Sequence, residues 1–160
     1  MAAMSPKSGN GEDVKIVQKN RQAWFEFEIL EKVEAGLVLA GSEVKSIRNG
    51  RVSIHEAWGK IRNGEAYIVG MDIALYANAG PLNHEPKRSR KLLLKRRQID
   101  KLANQLREKG LTLVPLALYF KGGLAKLELG LGRGKQKWDK RESIKKRESD
   151  RDMRRRTMRR

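Results

Sequence analysis

Apolar and polar residues alternate from Trp24 to Leu30, with Phe25, Phe27 and Ile29 on one side and Glu26 and Glu28 on the other. A period of two sends successive side chains to opposite faces of an extended chain, so this stretch predicts a half-buried strand. Ahead of it, Asn20-Arg21-Gln22-Ala23 predicts a short turn of helix. Behind it, Val33 and Leu37-Val38-Leu39 flank Glu34-Ala35-Gly36, which predicts a turn joining two paired strands. Gly41-Ser42 then introduces a short helix. Ser42 supplies an N-cap, Glu43 stands near the positive helix end, and Val44 and Ile47 form an apolar pair three apart. Lys45, Ser46 and Arg48 make up its remaining, exposed face, and Asn49-Gly50 ends it.

Val52 to Ile54 reads as a short strand. Trp58 to Arg62 and Glu65 to Ile73 read as strands joined by Asn63-Gly64, a strong hairpin signal. Gly80-Pro81, Asn83 and Pro86 make a loop of residues 76–86. Gln98 to Lys109 predicts a helix, with Ile99, Leu102, Ala103 and Leu106 on one face and Gly110 as its stop. Leu111 to Phe120 and Leu124 to Leu131 are two further β runs across Lys121-Gly122-Gly123, and Pro115 demands an edge or a bulge. These elements predict a mainly β body with flanking short α-helices. Strands that would otherwise leave free edges close most simply into an antiparallel six-stranded barrel of oligonucleotide-binding type. Periodicity alone leaves a split α+β sheet open.

Charge divides the chain further. Its 160 residues carry 36 Lys and Arg against 19 Asp and Glu, a formal charge of +17. Such self-repulsion is relieved by a polyanion, and a phosphate backbone is the expected partner. Residues 133–160 hold 14 cations and 5 anions, whereas the preceding 132 residues hold 22 and 14. The expected organisation is a flexible leader (1–14), an RNA-binding body (15–132) and a basic tail (133–160). The tail's large apolar residues, Trp138, Ile144, Met153 and Met158, cannot offset the entropy of ordering it, so it should be disordered when free. Its Lys, Arg and Glu content suits a helix once a partner screens the charge. Trp138 among cations offers a face for stacking on a base.

Other chemistries find little support. There is no cysteine, and His55 and His84 stand far apart, so neither a metal site nor a cofactor is expected. No apolar run reaches the ~20 residues of a membrane span. A polar N-terminus and the missing cysteine fit a cytoplasmic protein. A nuclease would need clustered carboxylates or a histidine pair. Glu26, Glu28, Glu31 and Glu34 look instead like the solvent face of a β ribbon. A basic, tailed structural protein of the ribosome is the other alternative.

Seven of the eleven residues from Lys87 to Arg97 are cationic. Within that run, Pro86-Lys87-Arg88-Ser89-Arg90-Lys91-Leu92-Leu93-Leu94 resembles the PxRxRKLLL element of the small protein B family, the bacterial SsrA-binding proteins. Gly41-Ser42-Glu43-Val44-Lys45-Ser46-Ile47-Arg48, after Glu34-Ala35-Gly36, resembles that family's GxEVKSxR segment. Asn20 to Ala23, Arg62 to Tyr67, and Gly134 to Arg141 resemble three further family blocks, in order.

The resemblance implies an antiparallel oligonucleotide-binding barrel and no enzymatic reaction. It implies binding to the transfer-RNA-like domain of transfer-messenger RNA (tmRNA), help with its aminoacylation, and delivery to stalled 70S ribosomes. In that reading the body mimics an anticodon arm, and the tail enters the empty decoding site, against 16S ribosomal RNA, and the messenger channel. No small-molecule substrate and no membrane partner are expected. Asn20, Arg21, Glu34, Lys45, Ser46, Arg48, Lys87, Arg88, Arg90 and Lys91 would contact tmRNA, through planar guanidinium and short polar groups suited to structured RNA. Gly134, Lys135, Lys137, Trp138, Asp139, Lys140 and Arg141 would serve the decoding centre. Leu92 to Leu94 are expected in the core. Trp24 and Phe25 replace positions often basic or His in the family. Gln22 and Gln136 stand where a cation is usual, and Trp138 where relatives often carry His.

Overall fold

A computed structural model describes residues 13–108, 110–135 and 151. Within residues 13–135, the described residues form nine strands and three α-helices in the order β1 (Val14–Lys19), α1 (Arg21–Glu26), β2 (Phe27–Leu37), α2 (Gly41–Arg48), β3 (Val52–Ser53), β4 (Trp58–Arg62), β5 (Glu65–Val69), β6 (Asp72–Ile73), β7 (Arg90–Leu93), α3 (Arg96–Leu106), β8 (Leu111–Lys121) and β9 (Leu124–Gly134). Six of the strands form an antiparallel ring in the order β4, β5, β7, β2, β9, β8. The ring closes where Gly59 of β4 pairs with Leu113 of β8. A Cβ on Gly59 would lie 2.5 Å from Leu113 Cδ2, so a side chain there would obstruct closure. β1 adds to the free half of β8, and β3 and β6 make a separate ribbon. The mainly β, six-stranded barrel expected from the sequence is present.

Bulges decide which residues face inward. Before the register shift between Pro115 and Ala117, Leu113 enters the barrel core, while Val114 and Leu116 pack outside it. Beyond the shift, Leu118 and Phe120 point in and Tyr119 does not. One extra residue reverses the phase of a period-two strand. A matching shift between Ile29 and Glu31 turns Phe27 and Ile29 outward, but Val33, Ala35 and Leu37 inward. The outward groups form a second, small core with Ala23 of α1. Gly130 and Gly132 leave room for it, since a Cβ would meet Leu116 at 2.8 Å or Phe27 at 2.9 Å.

Several sequence expectations change. Trp24 and Phe25 belong to α1, because the Asn20 carboxamide accepts from the Ala23 N–H and prolongs the turn into a helix through Glu26. Glu34-Ala35-Gly36 makes no turn. β2 runs straight through it, paired with β9 on one edge and with β7 at Gly36 and Leu37 on the other. The Glu65–Ile73 run breaks at Gly70, whose φ of +82° redirects the chain into β6. At the C-terminal end, Arg133 and Gly134 complete β9, and the barrel outlasts the expected boundary at residue 132. The Asn63-Gly64 hairpin forms as expected, with φ of +52° and +75°. Among the described residues no helix is long and apolar enough to cross a membrane.

Candidate nucleic-acid interface

Helix α2 is polar where a helix is usually apolar. Ser42, Glu43 and Ser46 are buried beside Ile47, and each has a designated partner in residues 73–90. Ser42 Oγ lies 2.8 Å from His84 Nδ1, and His84 Nε2 lies 2.9 Å from the Ile73 carbonyl. A carbonyl can only accept, so Nε2 carries the proton and Ser42 donates to Nδ1. Ser46 Oγ donates to the Ala74 carbonyl at 2.6 Å. Glu43 accepts from the Ala40 N–H at 2.8 Å, closing the first helical turn. The expected N-cap, Ser42, faces His84 instead, and the cap position is Ala40.

Glu43 also receives Arg88 and Arg90. Arg88 Nε donates to Oε2 at 3.0 Å and its Nη2 to Oε1, while Arg90 Nε reaches Oε2 at 2.6 Å. Arg90 gives its other donors to the carbonyls of Met71 (2.5 Å) and Pro86 (2.9 Å) and is 0% exposed. Burial alone would push the Glu43 carboxyl up. Hydrogen bonds from Arg88, Ala40 and Arg90 outweigh it and hold the group below its ordinary value. For Arg90 burial draws the guanidinium down and Glu43 opposes the shift. A guanidinium in a protein keeps its charge, so the pair is ionic.

With its polar side anchored, α2 presents Lys45 and Arg48 outward. Lys45 Nζ lies 5.4 Å from the centre of the Tyr76 ring, and the Arg48 guanidinium lies 5.5 Å from that of Phe120. Tyr76 is held from both sides by Asn83, whose Oδ1 accepts from its N–H (3.1 Å) and whose Nδ2 donates to its carbonyl (2.8 Å). Both cations stand in the last turn, where the helix dipole favours them.

The two neighbours of Phe120 on β8 define the adjoining wall. Tyr119 and Lys121 face out while Phe120 faces in under Arg48. The Tyr119 hydroxyl donates to Glu34 Oε2, and Lys121 Nζ stands 3.7 Å from Glu34 Oε1. Burial, then the bond to Glu34 and that residue's charge, raise the Tyr119 phenol well above its ordinary range, so it remains a donor. Glu34 is thereby oriented on an otherwise solvent-facing wall, next to the end of the barrel that α2 covers.

The proposed RNA contacts therefore separate into two groups. Lys45 and Arg48 share the exposed face of α2, Glu34 is exposed and bonded to Tyr119, the neighbour of the Phe120 that Arg48 covers, and Lys87 is exposed. Lys91 is exposed but paired with Glu65 at 2.7 Å, which raises its ammonium above the ordinary value. Arg21 is exposed on α1, over the second small core rather than beside α2. Asn20, Ser46, Arg88 and Arg90 have internal tasks. Asn20 is 3% exposed, caps α1 and donates to the Pro115 carbonyl at 2.9 Å, so it shapes the wall rather than offering a free contact. Ser46 leaves the exposed helix face it was expected to share. Leu92 is in the core, whereas Leu93 is 54% exposed, against expectation.

Gly134 pairs with Phe27, and Lys135 donates from its backbone to Glu26 (2.9 Å) and from Nζ to the Trp24 carbonyl (3.2 Å). Lys137, Trp138, Asp139, Lys140 and Arg141 lie outside the described residues, as do the leader through residue 12 and most of the tail. Sequence reasoning gave Tyr76, Asn83, Tyr119 and Lys121 no part in the site, reading Asn83 only as a loop residue and Lys121 only as a turn residue. Asn83 beside His84, between Pro81 and Pro86, was the one available signal of a held loop. Among the described residues no cluster of His, Asp or Glu could hold a metal ion.

Comparison with known proteins gives a consistent picture. A family model described as SmpB protein matches residues 17–159. An SsrA-binding protein of Gloeobacter violaceus is 54% identical over 141 residues, covering 88% of this chain and 93% of its own. One from Carboxydothermus hydrogenoformans is 52% identical over 139 residues, covering 87% and 93%. A chain from a solved structure described as "tmRNA-SmpB: a journey to the center of the bacterial ribosome" superposes with a TM-score of 0.64 at 42% identity, over 79% of this chain and 93% of that one.

Proposed function

The chain belongs to the SmpB family, and from that premise we propose that it binds tmRNA and acts with it at the ribosome in trans-translation. The observation that carries this reading is the 42% identical chain from a tmRNA–SmpB structure, which matches across most of both proteins. Glu34, Lys45 and Arg48 form the surface proposed for the transfer-RNA-like domain, with Arg21, Lys87 and Lys91 as outlying cations. Lys45 and Arg48 would meet phosphates, and Glu34, aimed by Tyr119, would accept from base or ribose donors. Arg88, Arg90 and Ser46 would act by holding that surface, and Asn20 by capping the helix that carries Arg21.

The protein performs no chemistry in this reading. It would promote aminoacylation by steadying the RNA and then accompany it to the stalled ribosome, in the cytoplasm. Lys135 and the residues beyond it, Trp138 among them, would enter the decoding site and messenger channel. Their charge is matched to ribosomal RNA phosphates, and Trp138 would stack on a base. Capture of the full-length tagged chain from a bacterial lysate, with sequencing of bound RNA, tests the reading. Strong enrichment of tmRNA is expected. Recovery of bulk RNA in proportion to abundance would overturn it.

A further inference from the structure

Helix α1 and the segment that leads into β4 border a cleft of about 280 Å³, lined by Glu26, Phe27, His55, Glu56 and Trp58. Its wall is built into the fold. Asn20 donates to the Pro115 carbonyl at 2.9 Å, and its Oδ1, which caps α1, also lies 3.3 Å from His55 Nδ1. The cleft is thus formed before anything enters it, which lowers the cost of filling it.

Charge sets this cleft apart in a chain of +17. Three other clefts of the described surface each carry Lys or Arg: Arg107 beside α3, Arg62 at the β4–β5 hairpin, and Lys95 and Lys126 beside β2. This one carries Glu26 and Glu56 and neither Lys nor Arg. Neither carboxylate has a cation partner among the described residues. Glu26 Oε1 accepts from Gln22 Nε2 at 2.9 Å, which leaves most of its acceptor capacity unused. Trp58 adds an aromatic wall that is 44% exposed. The Trp24 ring is covered by Lys32 at 5.2 Å, whereas among the described residues no cation lies over the Trp58 ring. Two such carboxylates beside a bare indole attract a cation and repel a phosphate.

The chain itself supplies that cation. Lys135 is fixed on α1, its N–H donating to the Glu26 carbonyl at 2.9 Å and its Nζ to the Trp24 carbonyl at 3.2 Å. The 25 residues that follow hold 12 Lys and Arg against 5 Asp and Glu. Two residues of extended chain reach about 7 Å, so Lys137 starts from beside Glu26, with Lys140 and Arg141 close behind it. We propose that this cleft is the docking site, in the free protein, of the chain's own residues 137–141. Lys137 pairs with Glu26, Lys140 or Arg141 meets Glu56 and the Trp58 ring, and RNA must displace them to take the tail. Exposed ion pairs are individually weak. A tether this short holds the tail at an effective concentration on the order of millimolar, so weak pairs suffice. The inference goes beyond the reading of the tail as a ribosome-binding element, because it concerns the protein before any ribosome is met.

The chain contains no cysteine, so Ser143→Cys places a single nitroxide on the tail of the full-length protein. Paramagnetic relaxation of the backbone amides is then read without RNA. The enhancement should be largest at His55, Glu56 and Ala57. It should fall about threefold in Glu26→Gln with Glu56→Gln, or in about 0.5 M salt, as loss of two exposed pairs implies. Glu56→Gln alone leaves α1 untouched and should give about half of that fall. An enhancement that ignores these substitutions would reduce the effect to tethering and overturn the proposal. So would one centred on Glu31 and Glu34. Without the nitroxide, the full-length double variant should bind oligo-uridylate about threefold more tightly than Glu85→Gln with Glu108→Gln, which sheds the same charge elsewhere. Equal binding by those two proteins would also overturn it. Failure of the tmRNA reading shows separately, because neither measurement uses tmRNA.

Discussion

Arg90 Nε of β7 lies 2.6 Å from Glu43 Oε2 of α2, with both side chains wholly withdrawn from water. The pair divides the basic run at residues 87–91 into an inner and an outer set. It also fixes the one helix whose exposed face carries Lys45 and Arg48. Two charges buried together must keep each other, because either alone is left without compensation.

Glu43→Gln should therefore cost about 3–5 kcal/mol of folding stability, since it strips the charge that Arg90 is buried against. Urea denaturation followed by circular dichroism measures this. Glu43→Leu combined with Arg90→Met should lose less than the two single changes added together. Strict additivity would show that the pair is not coupled.

The same carboxylate makes stability depend on acid. Its folded-state affinity for protons is depressed from an ordinary value of 4.5. The contribution is therefore fully present above about pH 4.5 and fades as pH falls through the lower folded value. Melting temperatures of the unaltered chain should drop more steeply below pH 4.5 than those of Glu43→Gln, whose neutral amide has no such proton to take up. Parallel curves for the two proteins would rule out Glu43 as the source.

Most of the barrel was legible in the sequence because local signals agreed with the global fold. Asn63-Gly64 named its hairpin, and Ile99, Leu102 and Leu106 named the buried face of α3. Two bulges were not legible. Pro115 hinted at one, but a phase reversal inside an apolar strand looks the same in sequence as an unbroken run. The candidate site was harder still. A cationic motif reads as a surface, and only packing reveals that Arg90 and Ser46 point inward while Lys45 and Arg48 point out. Tyr119 pairs with Glu34 across 85 residues of chain, a distance that no local pattern spans.

Tyr119→Phe removes the hydroxyl that holds Glu34 and little else. Loss of one hydrogen bond to a charged group should cost about 1–2 kcal/mol of stability. If Glu34 must be aimed to meet RNA, affinity for the transfer-RNA-like domain should fall several-fold, and Glu34→Ala should fall further. An unchanged affinity in filter-binding or calorimetric titration, with the expected stability loss, would assign the pair to the fold alone.

Truncation should respect the barrel rather than the charge boundary. Ending the chain after Lys135 keeps all of β9 and the bonds to Glu26 and Trp24. That protein should bind tmRNA nearly as well as the full chain and fail to support tagging of stalled peptides. Ending it after Gly132 removes Arg133 and Gly134, the β9 partners of Glu28 and Phe27, and its melting temperature should fall as well. Loss of tmRNA binding by the longer truncate, with an intact fold, would reject a division of labour between body and tail.

Lys45→Ala with Arg48→Ala tests the exposed face of α2 directly. Both residues are in the helix's last turn and neither is part of the Ser42, Glu43 and Ser46 anchoring, so the circular dichroism spectrum should be unchanged. Binding that engages about six phosphates should weaken roughly a thousandfold between 50 and 200 mM salt. Removal of two cations should lower affinity for the transfer-RNA-like domain by roughly tenfold to a hundredfold and reduce the logarithmic salt slope by about two. The slope is the more telling measure, because a generally loosened protein would bind less well without shedding a fixed number of counterions. A weaker complex with an unaltered slope would place the phosphate contacts elsewhere on the body, and the cations over Tyr76 and Phe120 would then be solvated surface charge.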